Sequence, residues 1–158
     1  MSSQVLSEQS IEAQTFVTLV RAHALVTRQL NAQLNAEHGL TISDFEVLMR
    51  LARAPDRRLR GVDLAEQVLL TASGITRLVD GLVRSGYVER AACASDRRVV
   101  YAVLTEAGLA KLREAASSHL GQIEELFSGR YDKRELSELT ALLARLGGDD
   151  PASCDVPE

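Results

Sequence analysis

The chain has 158 residues, of which 46% are apolar and 25% charged, and its 18 basic and 22 acidic side chains leave a net charge of −4. That length matches one compact domain with room for a core, and the composition excludes a disordered chain. The net negative charge excludes attachment to nucleic acid or membrane through bulk charge, but it leaves room for a local basic face.

Residues 1–10 are polar and read as a disordered start. Over residues 11–37, Phe16, Leu19, Val20, Val26, Leu30 and Leu34 recur at three- and four-residue spacing with no Pro or Gly before Gly39, which predicts a long helix. Thr41, with Asp44 three residues on, opens a second helix whose apolar stripe is Phe45, Leu48 and Leu51 and whose stop is Pro55. After a short polar stretch from Asp56 to Arg60, a two-turn helix is expected from Gly61 to Leu69, with Leu64, Ala65 and Val68 inward. Thr71 is the next cap. From Thr71 to Ser85, Ile75, Leu78, Val79, Leu82 and Val83 form one buried helical stripe. The opposite face carries Ser73, Thr76, Arg77, Asp80 and Arg84.

Gly86 ends that helix. Tyr87 to Ala92 and Val99 to Leu104 then read as two strands, the second rich in β-branched residues, joined by an Arg-bearing tip. Thr105 caps a further helix with the stripe Leu109, Leu112, Ala116, Leu120, Ile123 and Phe127, ending at Gly129. Asp132 with Glu135 is a capping-box start to a last helix, in which Leu136, Leu139, Leu143 and Leu146 recur up to Gly147-Gly148. Residues 148–158 read as a disordered acidic tail.

Charge is unevenly spread. Residues 1–40 carry 2 basic and 3 acidic groups, 41–105 carry 10 and 8, and 106–158 carry 6 and 11, so a net-positive middle lies between two acidic ends. From Arg57 to Arg98 there are eight Arg against five acids. Cys93 and Cys154 alone form neither a disulfide framework nor a metal-ligand pattern, and a reducing cytoplasm fits them. The N-terminus lacks a basic flank and an apolar stretch, and no apolar run approaches the ~20 residues of a membrane span. Six aromatic residues in all, with no Trp, argue against a stacking platform for single strands.

The expected fold is therefore mainly α with a small β-hairpin. A short helix, a tight turn and a second helix with a Ser/Thr/Arg outer face are the parts of a helix-turn-helix, and the following hairpin makes it winged. A helix that enters the major groove buries one stripe in its own protein while hydroxyls and an Arg meet base edges and phosphates, a demand that Ser73, Thr76 and Arg77 fit. Arg97 and Arg98 at the hairpin tip suit a narrow minor groove, with Asp96 beside them to hold an Arg in position. Arg84 reads as a solvated residue or a phosphate contact. Such patterns also occur in helical bundles that never touch DNA. The terminal helices carry apolar stripes too long for a small lobe to cover, which calls for a second copy of the chain.

The run from Leu64, LAEQVLLTASGITRLVDGLVRSGYVER, followed by SDRRVVYAVLTEAG, resembles the MarR family of bacterial winged-helix regulators. Asp96-x-Arg98, then Leu104-Thr105 and Ala107-Gly108, matches the family's wing signature in spacing. The resemblance covers residues 11–147 and implies a winged lobe over about 41–105 with dimerisation helices over about 11–37 and 106–147. It implies a homodimer on double-stranded DNA with Thr71, Ser73, Thr76 and Arg77 as recognition-helix contacts and Arg98, with Arg97, as the wing contact. In the family the wing Asp and Arg commonly pair, which gives Asp96 a supporting role. A first strand near Arg58 to Arg60 is likewise expected from the resemblance alone.

The resemblance further implies a repressor on a pseudo-palindromic operator that responds to a small anionic or phenolic effector. His23, Met49, Arg50 and Arg53 lie nearest the cleft where such an effector would bind, although a buried or interface histidine is the plainer reading of His23. His38 and His119 are too scattered to suggest a metal, and no cofactor is expected. Gly81 stands where many members carry a larger, often basic residue. No cysteine occurs near the start of the first helix, which counts against peroxide sensing. Cys93 would be a thiol switch if its Arg neighbours lowered its pKa, against the plainer reading of a bystander. Two other classes stay open: a winged-helix module for protein association, and an enzyme. For the enzyme there is no phosphate loop, metal-ligand cluster or nucleophile motif.

Overall fold

A computed structural model of the chain describes residues 10–68 and 72–147. Helix α1 spans Ile11–His38 and α2 spans Ile42–Arg53; β1 is Arg58–Arg60, α3 Gly61–Gln67 and α4 Ala72–Arg84. The hairpin strands are β2, Val88–Ala92, and β3, Val100–Leu104, and the chain closes with α5, Glu106–Ser128, and α6, Lys133–Ala144. The three strands form one antiparallel sheet in the order β1-β3-β2, with Leu59 opposite Ala102 and Val88 opposite Leu104. The expected disordered start, apart from Ser10, and the expected tail lie outside the described residues, as do Leu69 and Thr71.

Local chemistry accounts for the element ends. Ser10, expected within the disordered start, is instead the cap of α1, its hydroxyl accepting from the Ala13 N–H at 3.3 Å. Thr41 and Asp44 form a reciprocal capping box, the hydroxyl accepting from Asp44 N–H at 3.0 Å and the carboxylate from Thr41 N–H at 2.8 Å. Asp132 and Glu135 repeat it at α6. That last helix ends at Ala144, short of the Gly147-Gly148 stop expected for it, with Arg145 as its C-cap. Between α2 and β1, a single 3₁₀ turn from Pro55 to Arg57 puts Asp56 and Arg57 at φ 55° and 53°. Such left-handed backbone costs about 1 kcal/mol or more per non-glycine residue.

The core joins more of the chain than the expected lobe boundary at residue 105. Val47, Leu48 and Leu51 of α2, Leu64 of α3 and Leu112 of α5 are completely buried in one cluster that also takes in Leu34 and Leu40, Ile75, Val79 and Leu82, and Ala115. The close of the hairpin onto α5 requires a glycine: a Cβ at Gly108 would sit 2.1 Å from the Tyr87 carbonyl oxygen. Thr105 completes that joint, donating its hydroxyl to the Gly86 carbonyl at 2.7 Å and accepting from the Gly108 N–H at 3.0 Å.

Two predicted stripes are redrawn. Val83 is exposed, because α4 turns its Ile75–Val79–Leu82 edge to the core and Val83 lies beyond that edge. In α5 the buried positions after Leu112 are Ala115, His119 and Leu126, while Leu120 is exposed and Ala116, Ile123 and Phe127 are half-buried. The first half of α1 is exposed throughout, with Ile11 at 70% and Phe16 at 67%. No residue of α6 is buried, and Leu142, Leu143 and Leu146 are exposed.

Candidate nucleic-acid interface

Helix α4 is held by Ile75, Val79 and Leu82 in the core, and that packing fixes which residues face outward. Ser73, Thr76, Arg77 and Arg84 are exposed on it. Thr71 is not among the described residues. At Gly81 an added Cβ would meet only the Arg84 side chain, at 3.8 Å, so the surface there has room for a larger residue.

The wing reaches the same face. A hollow of about 390 Å³ between α4 and the hairpin is lined by Arg60, Val62, Thr76 and Arg98, among others, which places Thr76 of α4 and Arg98 of the wing on one groove. A salt bridge of 2.7 Å from Arg90 of β2 to Asp80 of α4 ties hairpin to helix. At the tip, Val99 N–H donates to the Asp96 carbonyl at 3.0 Å and Cys93 N–H to the Val99 carbonyl at 2.9 Å. The Asp96 carboxylate makes no side-chain pair with Arg98 but accepts from its backbone N–H at 3.0 Å. The tight turn brings that N–H to it and leaves the guanidinium outward.

The eight Arg of the basic middle fall into two sets. Arg57 pairs with Glu106 at 2.6 Å, Arg58 with Asp56 at 3.4 Å, Arg60 with Asp63 at 2.8 Å, and Arg90 with Asp80 at 2.7 Å. Arg58 also lies over the Tyr101 ring, 5.0 Å from its centre. Arg77, Arg84, Arg97 and Arg98 have no carboxylate partner among the described residues, and all four sit on α4 or the wing tip. Within this stretch, the arginines without a carboxylate partner are thus those of α4 and the wing tip.

Cys93 departs from expectation in its cause. Its thiol is held below the usual value by hydrogen bonds from Ser95, whose hydroxyl lies 3.2 Å away, and from the Ser95 and Asp96 backbone, with no Arg involved.

The four residues expected near an effector cleft divide between two helices, His23 on α1 and Met49, Arg50 and Arg53 close together on α2. His23 is exposed on α1 in the single chain. Met49 is buried in the core, Arg50 is half-buried 3.9 Å from Glu46, and Arg53 is exposed. Burial pushes the Glu46 carboxyl up, a rise that Arg50 tempers. None of the four lines either hollow beside α4. The residues that sequence reasoning missed are His38 and His119, which meet where α1, α2 and α5 join. Their signal was the helical period itself, since His119 follows Leu112 at seven residues on the inward side of α5. No group of three or more His, Cys, Asp or Glu able to hold a metal occurs among the described residues.

Fold and site together define a winged helix-turn-helix protein with an uncompensated cationic face. The sequence model of the MarR family matches residues 38–99. Over 142 residues the chain is 30% identical to the HTH-type transcriptional regulator MhqR of Bacillus subtilis (strain 168), covering 90% of this chain and 94% of that protein. It is 34% identical over 100 residues to the HTH-type transcriptional repressor YetL of the same organism, covering 63% and 60%. The crystal structure of Sco3205, a MarR family transcriptional regulator from Streptomyces coelicolor in complex with DNA, superposes with a TM-score of 0.79 at 28% identity over 95% of each chain. The chain belongs to the MarR family and is a DNA-binding transcriptional regulator.

Proposed function

We propose that the protein is a repressor that occupies a pseudo-palindromic operator as a homodimer and is released or retained by a small anionic or phenolic effector. The observation that carries the DNA side of this reading is the division of the arginines: those on α4 and the wing tip are left for phosphates and bases, while those behind them are neutralised within the chain. Ser73, Thr76 and Arg77 are the proposed groove contacts, Arg84 a phosphate contact, and Arg97 and Arg98 the wing contacts, with Thr71 a further candidate. Exposed Phe16, Val20 and Leu25 of α1, with Leu142 of α6 and Leu146 just after it, support the dimer, since two copies bury each other's stripes. For the effector, Arg50, Arg53 and His23 offer polar groups outside the core; Met49 belongs to the core, so its role is packing.

The test is selection of bound sites from a random duplex library by the purified protein, followed by affinity on the enriched site at two salt concentrations. The expected result is an inverted repeat with half-site centres ~10 bp apart and a steep salt slope. A folded dimer that enriches nothing contradicts the reading and favours a winged helix that binds protein.

A further inference from the structure

The winged lobe hides most of its apolar side chains. From α2 to β3, the large apolar residues that stay exposed, among those described, are Val62, Val83 and Val100. Two of these three, Val62 at 65% exposure and Val100 at 47%, line the hollow between α4 and the hairpin. Val100 is there because of the two-residue period of β3: it shares a face with the buried Ala102 and Leu104 but stands at the wing end of that face, where the cover stops. Val62 stands in the first turn of α3.

The space they line is longer than one hollow. A second, of about 350 Å³, shares Gly61, Ile75, Thr76 and Val100 with the first and continues to Arg90, so the two form one trough beside α4. Among the described residues no acidic side chain lines it. Of its arginines, Arg60 is taken up by Asp63 through contacts of 2.8 and 3.0 Å, and Arg90 by Asp80 at 2.7 Å. Arg98, at the wing end, has no carboxylate partner among the described residues.

The shape of B-form DNA says what passes through such a trough. One sugar–phosphate strand separates each major groove from the minor groove beside it, so a helix in the first and a hairpin tip in the second straddle that strand. The trough is the space between those two elements and is continuous with the DNA face. A sugar–phosphate strand alternates an anionic phosphate with a deoxyribose whose surface is largely C–H, the 2′ methylene included. Arg98 suits the phosphate and the two valines suit the sugar. Ribose differs at that point, because a 2′-hydroxyl set against valine loses its water and gains no partner.

We propose that the trough seats one operator strand, with Val62 and Val100 packed on the deoxyribose between the two grooves, and that these valines reject a 2′-hydroxyl at that nucleotide of each half-site. This rests on the docking proposed above, with α4 in the major groove and the wing in the minor groove beside it. The valines carry no charge, so their share of the affinity is independent of salt, unlike that of the arginines. They read the sugar and not the base, which makes the contact indifferent to operator sequence.

The experiment uses the full chain and its selected operator, with single ribonucleotides placed one position at a time along each strand of a half-site. Affinity is expected to fall about fivefold or more at the nucleotide between the contacts of α4 and those of the wing, and less than about twofold at its neighbours. A 2′-fluoro nucleotide at the same position favours the ribose pucker but has no hydroxyl to desolvate, and is expected to bind within about twofold of the all-DNA duplex. Val62→Thr with Val100→Thr keeps both side chains β-branched and offers the 2′-hydroxyl a partner, so the ribose penalty is expected to shrink to about twofold or less, at an unchanged salt slope. Equal affinity whichever nucleotide is ribose overturns the proposal and leaves the operator reading standing. A penalty that the 2′-fluoro nucleotide shares in full also overturns it, by assigning the effect to pucker, and this arm needs no variant to fold. So does a folded threonine variant that keeps the whole penalty. A chain that selects no duplex at all refutes the operator reading and the proposal together.

Discussion

From α2 to β3, the winged lobe buries Val47, Leu48, Leu51 and Leu64 within one chain, whereas the terminal helices leave Ile11, Phe16, Leu142 and Leu146 in the open. The same two regions treat charge in opposite fashion. Along α6, two basic and two acidic side chains balance and Arg134 meets Glu138 at 3.0 Å, while α4 and the wing hold four Arg with no carboxylate partner among the described residues. A lobe that covers its own apolar surface has no need of a second copy to fold, and one that leaves cations uncovered has use for an anion. The terminal helices show the reverse: a surplus of apolar surface and no surplus of positive charge.

This contrast is broken most severely inside the core. Leu112→Ala, at a side chain with no exposure where α5 enters the lobe, is expected to cost about 2–5 kcal/mol of stability by denaturant unfolding. A loss below about 1 kcal/mol would mean that α5 is not part of the lobe's core. Next in size is the open surface. Phe16→Glu with Val20→Glu should abolish the proposed dimer at micromolar concentration while leaving the lobe folded, read by light scattering and circular dichroism. A dimer that survives would place the interface elsewhere.

DNA contacts come third. Arg77→Ala is expected to weaken operator binding by about 1–3 kcal/mol and to relax preference at the base it meets, measured by affinity on single-base operator variants. Acid sensitivity comes fourth. His119 sits below its unfolded value, so the unfolded chain binds more protons. Stability from this group is fully present above about pH 6.5 and declines as pH falls below it. His119→Leu should therefore flatten the fall in thermal midpoint between about pH 6.5 and 5. Smallest is Asp80→Asn: it breaks an exposed pair with Arg90 and is expected to cost at most about 1 kcal/mol of stability.

Much of this molecule was legible in its sequence, and the remainder follows a physical pattern. Helical period, the Thr41 and Asp132 capping boxes and the β-branched run from Val99 to Val103 located the elements within a residue or two, because each is set by neighbours a few positions away. The first strand was not legible from pattern, since Arg58, Leu59 and Arg60 become a strand only by pairing with β3. The inward edge of a long helix was legible only where one partner decides it. Along α5 the lobe claims Leu109 to Ala115 and none of the other described residues buries Leu120, so the single predicted stripe divides in two.

The candidate site shows the same limit. Ser73, Thr76, Arg77 and Arg98 were legible as outward residues of a winged motif. Which Arg are neutralised was not, because Arg57 finds Glu106 and Arg90 finds Asp80 only through the fold. The meeting of His38 with His119 was hidden for the same reason, His38 reaching Ser118 across most of the chain.

The most direct test of this account is the salt dependence of operator affinity in two sets of single Arg→Ala variants, one at Arg77, Arg84, Arg97 and Arg98, the other at Arg57, Arg58, Arg60 and Arg90. Each variant of the first set that removes a phosphate contact is expected to reduce the salt slope by about one, while the second set leaves it at the wild-type value. Equal reductions in the two sets, or reductions confined to the second, would contradict the claim that the fold reserves the arginines of α4 and the wing tip for DNA.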